Sequence, residues 1–371
     1  MNPTGRLHEL GQSLWLDNIT REMLENGTLA RYIRELSVTG LTSNPTIYEH
    51  AIGSGGWYDD AIHTKSAAGL SGEDLFFELA VEDLSRAAEL FRDAHRATGG
   101  TDGWVSLEVS PLLADDTART LEQARALHRL VERPNVFIKI PGTPAGLPAI
   151  EEAIFAGVPV NVTLLFSREQ YLAAAAAYQR GVARRIAADL DPAVGSVASV
   201  FISRWDKAVE GKVPPALRAR LGVAIAGRTY RAYRELLASA RSQELAAAGA
   251  RPQRLLWAST GTKDPQASDV LYVEALAAPD TIDTMPEATL LAFADHGHAR
   301  ATMPEDGGDA ERTLQEFGRS GVDVAALATD LQREGAASFV KSWKGLLERI
   351  GGKSEALAAG AGGSSGSGAH R

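Results

Sequence analysis

Short apolar runs separated by stretches of helical periodicity recur along this chain. The most informative stretch is Val136–Phe166 (VFIKIPGTPAGLPAIEEAIFAGVPVNVTLLF). Val136–Ile140 is β-branched and aromatic and is stopped by Pro141, the pattern of a buried strand. Leu147, Ile150 and Ile154 then recur at helical spacing until Gly157, which predicts a helix over Gly146–Ala156. Val160–Leu164 is a second apolar run. Strand, helix and strand within about thirty residues form a βαβ unit, whose strands lie parallel in one sheet.

The same alternation predicts strands at Leu14–Asp17, Thr39–Thr42, Trp104–Val109, Val197–Ile202, Arg254–Ala258 and Thr281–Met285. Helical sequence follows each. It includes a long helix from Asp74 to His95, opened by a capping pattern at Ser71-x-x-Asp74. A second capping box, Ser167-x-x-Gln170, opens an Ala-rich helix to about Ala188. Eight strands separated by helices predict an α/β fold, a single (β/α)8 barrel with additional helices over residues 1–359. Residues 360–371 (GAGGSSGSGAHR) read as a flexible tail.

Several of these strands carry a polar group where a core residue would cost less. Lys139 sits among Phe137, Ile138 and Ile140, while Asn161 and Thr163 alternate with Val160, Val162 and Leu164. Side chains two apart on a strand share a face, so Asn161 and Thr163 point together. Asp17, Asn44, Glu108, Ser199, Arg204 and Ser259 also fall at or near strand ends. In a (β/α)8 barrel those ends build the active site. A helix bundle gives no reason for such a pattern.

Composition narrows the chemistry. The absence of cysteine excludes disulfides, Cys-ligated metals and thiol catalysis. A formal charge of −9 offers no basic surface for nucleic acid, although local arginines can still hold phosphorylated metabolites. No apolar run approaches the ~18 residues that span a membrane, and the N-terminus has no apolar signal core. These features predict a cytoplasmic protein with neither nucleic acid nor membrane as partner; a monomer or homodimer is expected, though no pattern in the sequence fixes which.

Lys139 carries the most specific chemistry. A free lysine has a pKa near ~10.4, so few are neutral at pH 7, whereas burial in apolar surroundings favours the neutral amine. A neutral amine attacks a ketone and forms a Schiff base, an electron sink for breaking a carbon–carbon bond. A strand-end lysine that reaches solvent or pairs with Glu108 fits the strand equally well. Asp17 and Glu108 form a candidate acid–base pair, and each alone also suits an ion pair or a helix cap. Asn44, Asn161 and Thr163 suit either substrate hydroxyls or backbone groups. Arg204 suits a phosphate or the open surface. Lys263 follows Ser259-Thr260-Gly261-Thr262, a turn with one glycine and thus a weak phosphate-cradle signal.

Four motifs in order change the balance. Thr42-Ser43-Asn44-Pro45, Ser106-Leu107-Glu108, Ile138-Lys139-Ile140-Pro141 and Asn161-Val162-Thr163-Leu164-Leu165-Phe166 resemble the successive signatures of the transaldolase family. The resemblance extends over roughly Leu14 to Met285 and is nearest to a longer bacterial branch. It implies a barrel of the class I aldolase type with Lys139 as the Schiff-base residue. It implies that Glu108 and Thr163 position a water and that Asp17 moves protons. Asn44, Asn161 and Ser199 would hold the donor sugar, Phe201 would shape the pocket, and Arg204 would bind phosphate. The implied reaction moves a dihydroxyacetone unit from sedoheptulose 7-phosphate to glyceraldehyde 3-phosphate, in the non-oxidative pentose phosphate pathway, without metal or organic cofactor. One departure stands out. Where better-known members carry a second phosphate-binding arginine, this chain has Ser259-Thr260-Gly261-Thr262-Lys263, so Lys263 is expected to replace it. A Schiff-base aldolase releasing free dihydroxyacetone, and a non-catalytic barrel that binds sugar phosphates, are the competing expectations.

Overall fold

A computed structural model describes residues 2–299 and 302–363. Eight parallel strands close into a barrel in chain order. They are β1 (Ser13–Asp17), β2 (Val38–Thr42), β3 (Val105–Glu108), β4 (Val136–Pro141), β5 (Val160–Leu165), β6 (Ser196–Phe201), β7 (Arg254–Ala258) and β8 (Thr281–Met285). The expected (β/α)8 barrel is therefore present, with strand limits moved by a residue or two. Helices lie between the strands and cover the sheet on its outer face, which explains why β4 and β5 are buried along their whole length.

The lower half of the barrel is a plug. Trp104 stacks on Phe137 with ring centroids 4.0 Å apart, and Trp15 lies 6.2 Å from Phe137. Val197, Leu256 and Ile282 pack into the same cluster. Gly40 makes room for it, since a Cβ there would come within 2.6 Å of the Trp15 ring. Two residues further along five of the strands the inward position turns polar: Trp15 gives way to Asp17, Gly40 to Thr42, Phe137 to Lys139, Val197 to Ser199 and Ile282 to Thr284. Trp104, Ser106 and Glu108 climb β3 in the same way. The period-two pattern thus builds an apolar floor below a polar mouth.

Three expectations need correction. The helix expected from Asp74 to His95 is two, Gly72–Leu90 and Arg92–Ala97, and the helices Pro45–Gly53 and Asp59–Ala67 precede them. The helical ladder breaks at Phe91, whose ring is fully buried. Ser71 stands at the N-cap but its side chain caps nothing, because Gly72 takes φ +54° where a capped helix needs a negative φ. By contrast Ser167 and Gln170 form the expected reciprocal capping box.

The third correction concerns the C-terminus. A helix runs from Val324 to Gly363, past the expected start of the tail at Gly360, with Ala356, Ala358 and Ala359 favouring helix up to it. Residues 364–371 of the expected tail lie outside the described residues. This helix lies across the C-terminal mouth of the barrel. Gln332 Nε2 donates to the carbonyls of Gly142 (3.1 Å) and Leu164 (3.0 Å), and Trp343 Nε1 donates to Glu73 (2.8 Å). Gly335 allows the close approach, since a Cβ there would meet Leu164 at 3.0 Å.

Candidate active site

The polar mouth opens into a cavity of about 750 Å³, within the range of small-molecule sites. Nine of the expected residues line it: Asp17, Asn44, Lys139, Thr163, Ser199, Phe201, Arg204, Ser259 and Lys263. Glu108 and Asn161 do not reach its surface. They stand directly behind it.

Lys139 occupies the floor. It is the fourth residue of β4, in register with Glu108 on β3 and Asn161 on β5. Its Nζ donates to the Ser43 carbonyl at 3.1 Å and lies 3.4 Å from Glu108 Oε2. Both side chains are about 5% exposed, so the pair the sequence allowed does form, deep in the barrel. It is not a saturated ion pair, because neither Glu108 oxygen makes an aligned hydrogen bond among the described residues. Burial pushes the Glu108 carboxyl up to about 7; Lys139 opposes the rise, and the Asp17 charge adds to it.

Asp17 ends β1 and faces the same amine. Burial raises its pKa, and Lys139, a Thr42 hydrogen bond, Lys263 and Asn44 pull it back. Thr42 Oγ1 donates to Asp17 Oδ1 at 2.9 Å and is itself 2.8 Å from Thr284 Oγ1. Two carboxyls therefore flank one buried amine with their pKa values displaced upward, an arrangement suited to proton transfer.

The opposite wall is a polar chain. Ser199 Oγ donates to Asn161 Oδ1 (2.7 Å), and Asn161 Nδ2 donates to Ser106 Oγ (3.1 Å). Asn161 is thus oriented from behind while Ser199 faces the cavity. Thr163 points the same way as Asn161, as the alternation predicted, and its buried hydroxyl has no partner among the described residues. Just beyond it β5 bulges. Leu164 takes φ +58° and the register with β6 shifts between Val162 and Leu165. The bulge turns Thr163 to the cavity and Leu164 to the inner cluster, and Gln332 holds its carbonyl. Asn44 caps the helix Pro45–Gly53 by accepting from Ile47 N (3.1 Å) and still lines the cavity. The backbone-capping reading of this residue therefore holds, and its place on the cavity wall leaves it within reach of a ligand.

The upper rim is cationic. Arg204 is partly buried, 5.8 Å from the Phe201 ring, and meets no carboxylate at ion-pair distance among the described residues. Burial lowers the pKa of its guanidinium, and Glu334 acts in the other direction. Ser259 takes φ +57° at the end of β7 and its hydroxyl lies 2.9 Å from Ser203 Oγ. This turn brings the exposed Lys263 to the rim.

Sequence reasoning missed Leu331, Glu334 and Phe339, which reach the cavity from the C-terminal helix. Phe339 places its ring 5.8 Å from Lys139 Nζ. No strand-end pattern marks these residues, so nothing local signalled them. Thr284 follows the same alternation as the other inward residues and was legible in β8.

Comparison with known proteins agrees with this geometry. The sequence model of the Transaldolase/Fructose-6-phosphate aldolase family matches residues 14–350. The chain belongs to this family. A protein named Transaldolase from Thermobifida fusca is 45% identical over 359 residues, covering 94% of this chain and 97% of that one. Another from Parafrankia sp. is 44% identical over 357 residues, covering 94% and 97%. A third, from Neisseria gonorrhoeae, is 42% identical over 339 residues, covering 91% and 96%. Membership spans the barrel and most of the C-terminal helix, so the residues this helix adds to the cavity fall within the matched region. Among the described residues, no helix is long and apolar enough to cross a membrane.

Proposed function

We propose that the protein is a transaldolase that moves a dihydroxyacetone unit from sedoheptulose 7-phosphate to glyceraldehyde 3-phosphate, giving erythrose 4-phosphate and fructose 6-phosphate in the cytoplasm. The observation that carries this reading is the buried Lys139 amine on the cavity floor, 3.4 Å from a carboxylate whose pKa lies near 7.

In this scheme Lys139 Nζ attacks the donor's C2 carbonyl. The carbinolamine oxygen takes protons and leaves as water, which gives an iminium. A base removes the proton from the C4 hydroxyl, the C3–C4 bond breaks and its electron pair enters the iminium as an enamine. The aldehyde leaves, the acceptor aldehyde enters, and the steps reverse. Asp17 faces the cavity and suits the C4 hydroxyl proton. Glu108 and Thr163 offer buried oxygens without partners, the kind of groups that hold a water for the carbinolamine steps. Ser199, with Asn161 behind it, and Asn44 suit the donor hydroxyls. Arg204 and Lys263 suit the phosphate, one as a fork and the other as a point charge. The iminium is the electron sink, so the scheme calls for no metal or organic cofactor.

The test is borohydride reduction with fructose 6-phosphate. One reduced dihydroxyacetone unit should add to the protein mass, and peptide mapping should place it on Lys139. An adduct on another lysine would overturn the scheme. Release of free dihydroxyacetone, rather than transfer to an added aldehyde, would favour the aldolase reading.

A further inference from the structure

The rim holds more positive charge than the two residues assigned to phosphate. Lys207 follows Arg204 by three residues on the helix Ser203–Ala208, so the two share a face, and both line the cavity. Lys263 faces them from the turn after β7. Lys207, Lys263 and Ser203 also line a second cavity of about 360 Å³, so the two lysines stand where the cavities meet.

Lys207 is held only loosely there. Its partner is Glu210, and the two side chains are 64% and 48% exposed. Such an exposed pair contributes little and is readily exchanged for a better anion. Opposite the rim, Glu334 of the C-terminal helix lines the same cavity and adds a negative charge near Arg204. A phosphate monoester carries a charge of about −1.5 to −2 near neutrality. Arg204 and Lys263, offset by Glu334, present one net positive charge to it. Lys207, turned from Glu210 toward the cavity, adds a further cation on that side.

We propose that Lys207 is a third phosphate-binding cation, which exchanges Glu210 for the substrate's phosphate and thereby sets the preference for phosphorylated over unphosphorylated sugars. The proposal rests on the transaldolase reading of the cavity. Lys207 and Glu210 are both exposed, so replacing either leaves the packed core intact.

The experiment measures kcat and KM for fructose 6-phosphate and for fructose, with wild type, Lys207→Ala, Glu210→Gln and the double variant Lys207→Ala/Glu334→Gln. Inorganic phosphate serves as a competitive inhibitor. In Lys207→Ala the ratio of kcat/KM for the phosphorylated over the unphosphorylated sugar should fall about tenfold, chiefly through KM, and phosphate should inhibit more weakly by a similar factor. Glu210→Gln should move both readouts the other way, about twofold to threefold. Removing the Glu334 charge in the double variant should restore part of the preference. An unchanged ratio in Lys207→Ala, or equal losses for both sugars, would overturn the role of Lys207. Borohydride trapping on wild type separates that failure from a wider one: without an adduct on Lys139 the transaldolase reading falls as well, whereas an adduct with a flat ratio removes Lys207 alone.

Discussion

Replacing Glu108 with glutamine keeps the shape of a 5% exposed side chain and deletes its titration. Its pKa rises from 4.5 to about 7 in the folded protein, because burial penalises the carboxylate more than Lys139 supports it. A raised carboxyl pKa stabilises the fold at low pH. Below pH 4.5 this contribution is fully present. It is lost as pH rises, since the unfolded chain ionises first, and above about pH 7 no further loss occurs. At about 1.4 kcal/mol per unit, linkage makes the wild type lose about 2–3 kcal/mol from this group between pH 5 and pH 8. Asp17 and Asp283 are shifted the same way, so the quantity to compare is the difference between wild type and Glu108→Gln at each pH. Urea denaturation at several pH values measures it. The variant should gain on the wild type steadily from pH 5 to pH 7 and hold its lead thereafter. Transfer activity should fall about 10²- to 10⁴-fold, the usual contribution of a positioned acid or base, and the limb near pH 7 in kcat/KM should vanish. A stability difference that stays flat with pH would refute the placement of this pKa, and with it the reason for assigning Glu108 a proton.

Lys139→Arg keeps the positive charge but supplies no neutral amine, so a folded protein with neither transfer activity nor a borohydride adduct is expected; turnover in this variant would refute the Schiff base. Arg204→Ala and Lys263→Ala should each raise KM for fructose 6-phosphate more than for fructose, and equal effects on both sugars would remove that residue from the phosphate end. Gln332→Ala leaves the Gly142 and Leu164 carbonyls without their donor and should cost about 1–3 kcal/mol in denaturant titration. It should also raise KM, because the same bonds hold the C-terminal helix over the cavity; an unchanged KM would show that the helix is held elsewhere.

The barrel was legible because its signal is local. Each strand is a short run with an apolar face, β4 ending on Pro141 and β8 followed by Pro286, and β7 and β8 fall where the run of residues placed them. The polar residues two positions beyond the apolar plug were visible for the same reason, since side chains alternate along any extended strand. Lys139, Asn161 and Thr163 could therefore be assigned to one site before any contact was known. Local reading failed where a competing local event intervened, as when Gly72 turned Ser71 away from its helix. Three features were decided by tertiary structure alone. Whether Lys139 pairs with Glu108 depends on the register of β3 with β4, which no single strand encodes. Whether a polar residue lines the cavity or stands behind it, as Ser199 and Asn161 do, depends on the closure of the barrel and its depth. Phe339 and Glu334 reach the site from a helix far along the chain, and its own sequence pattern does not say which surface it covers. That surface exists only once β1 has met β8, since eight strand ends must converge before the barrel has a mouth to cover.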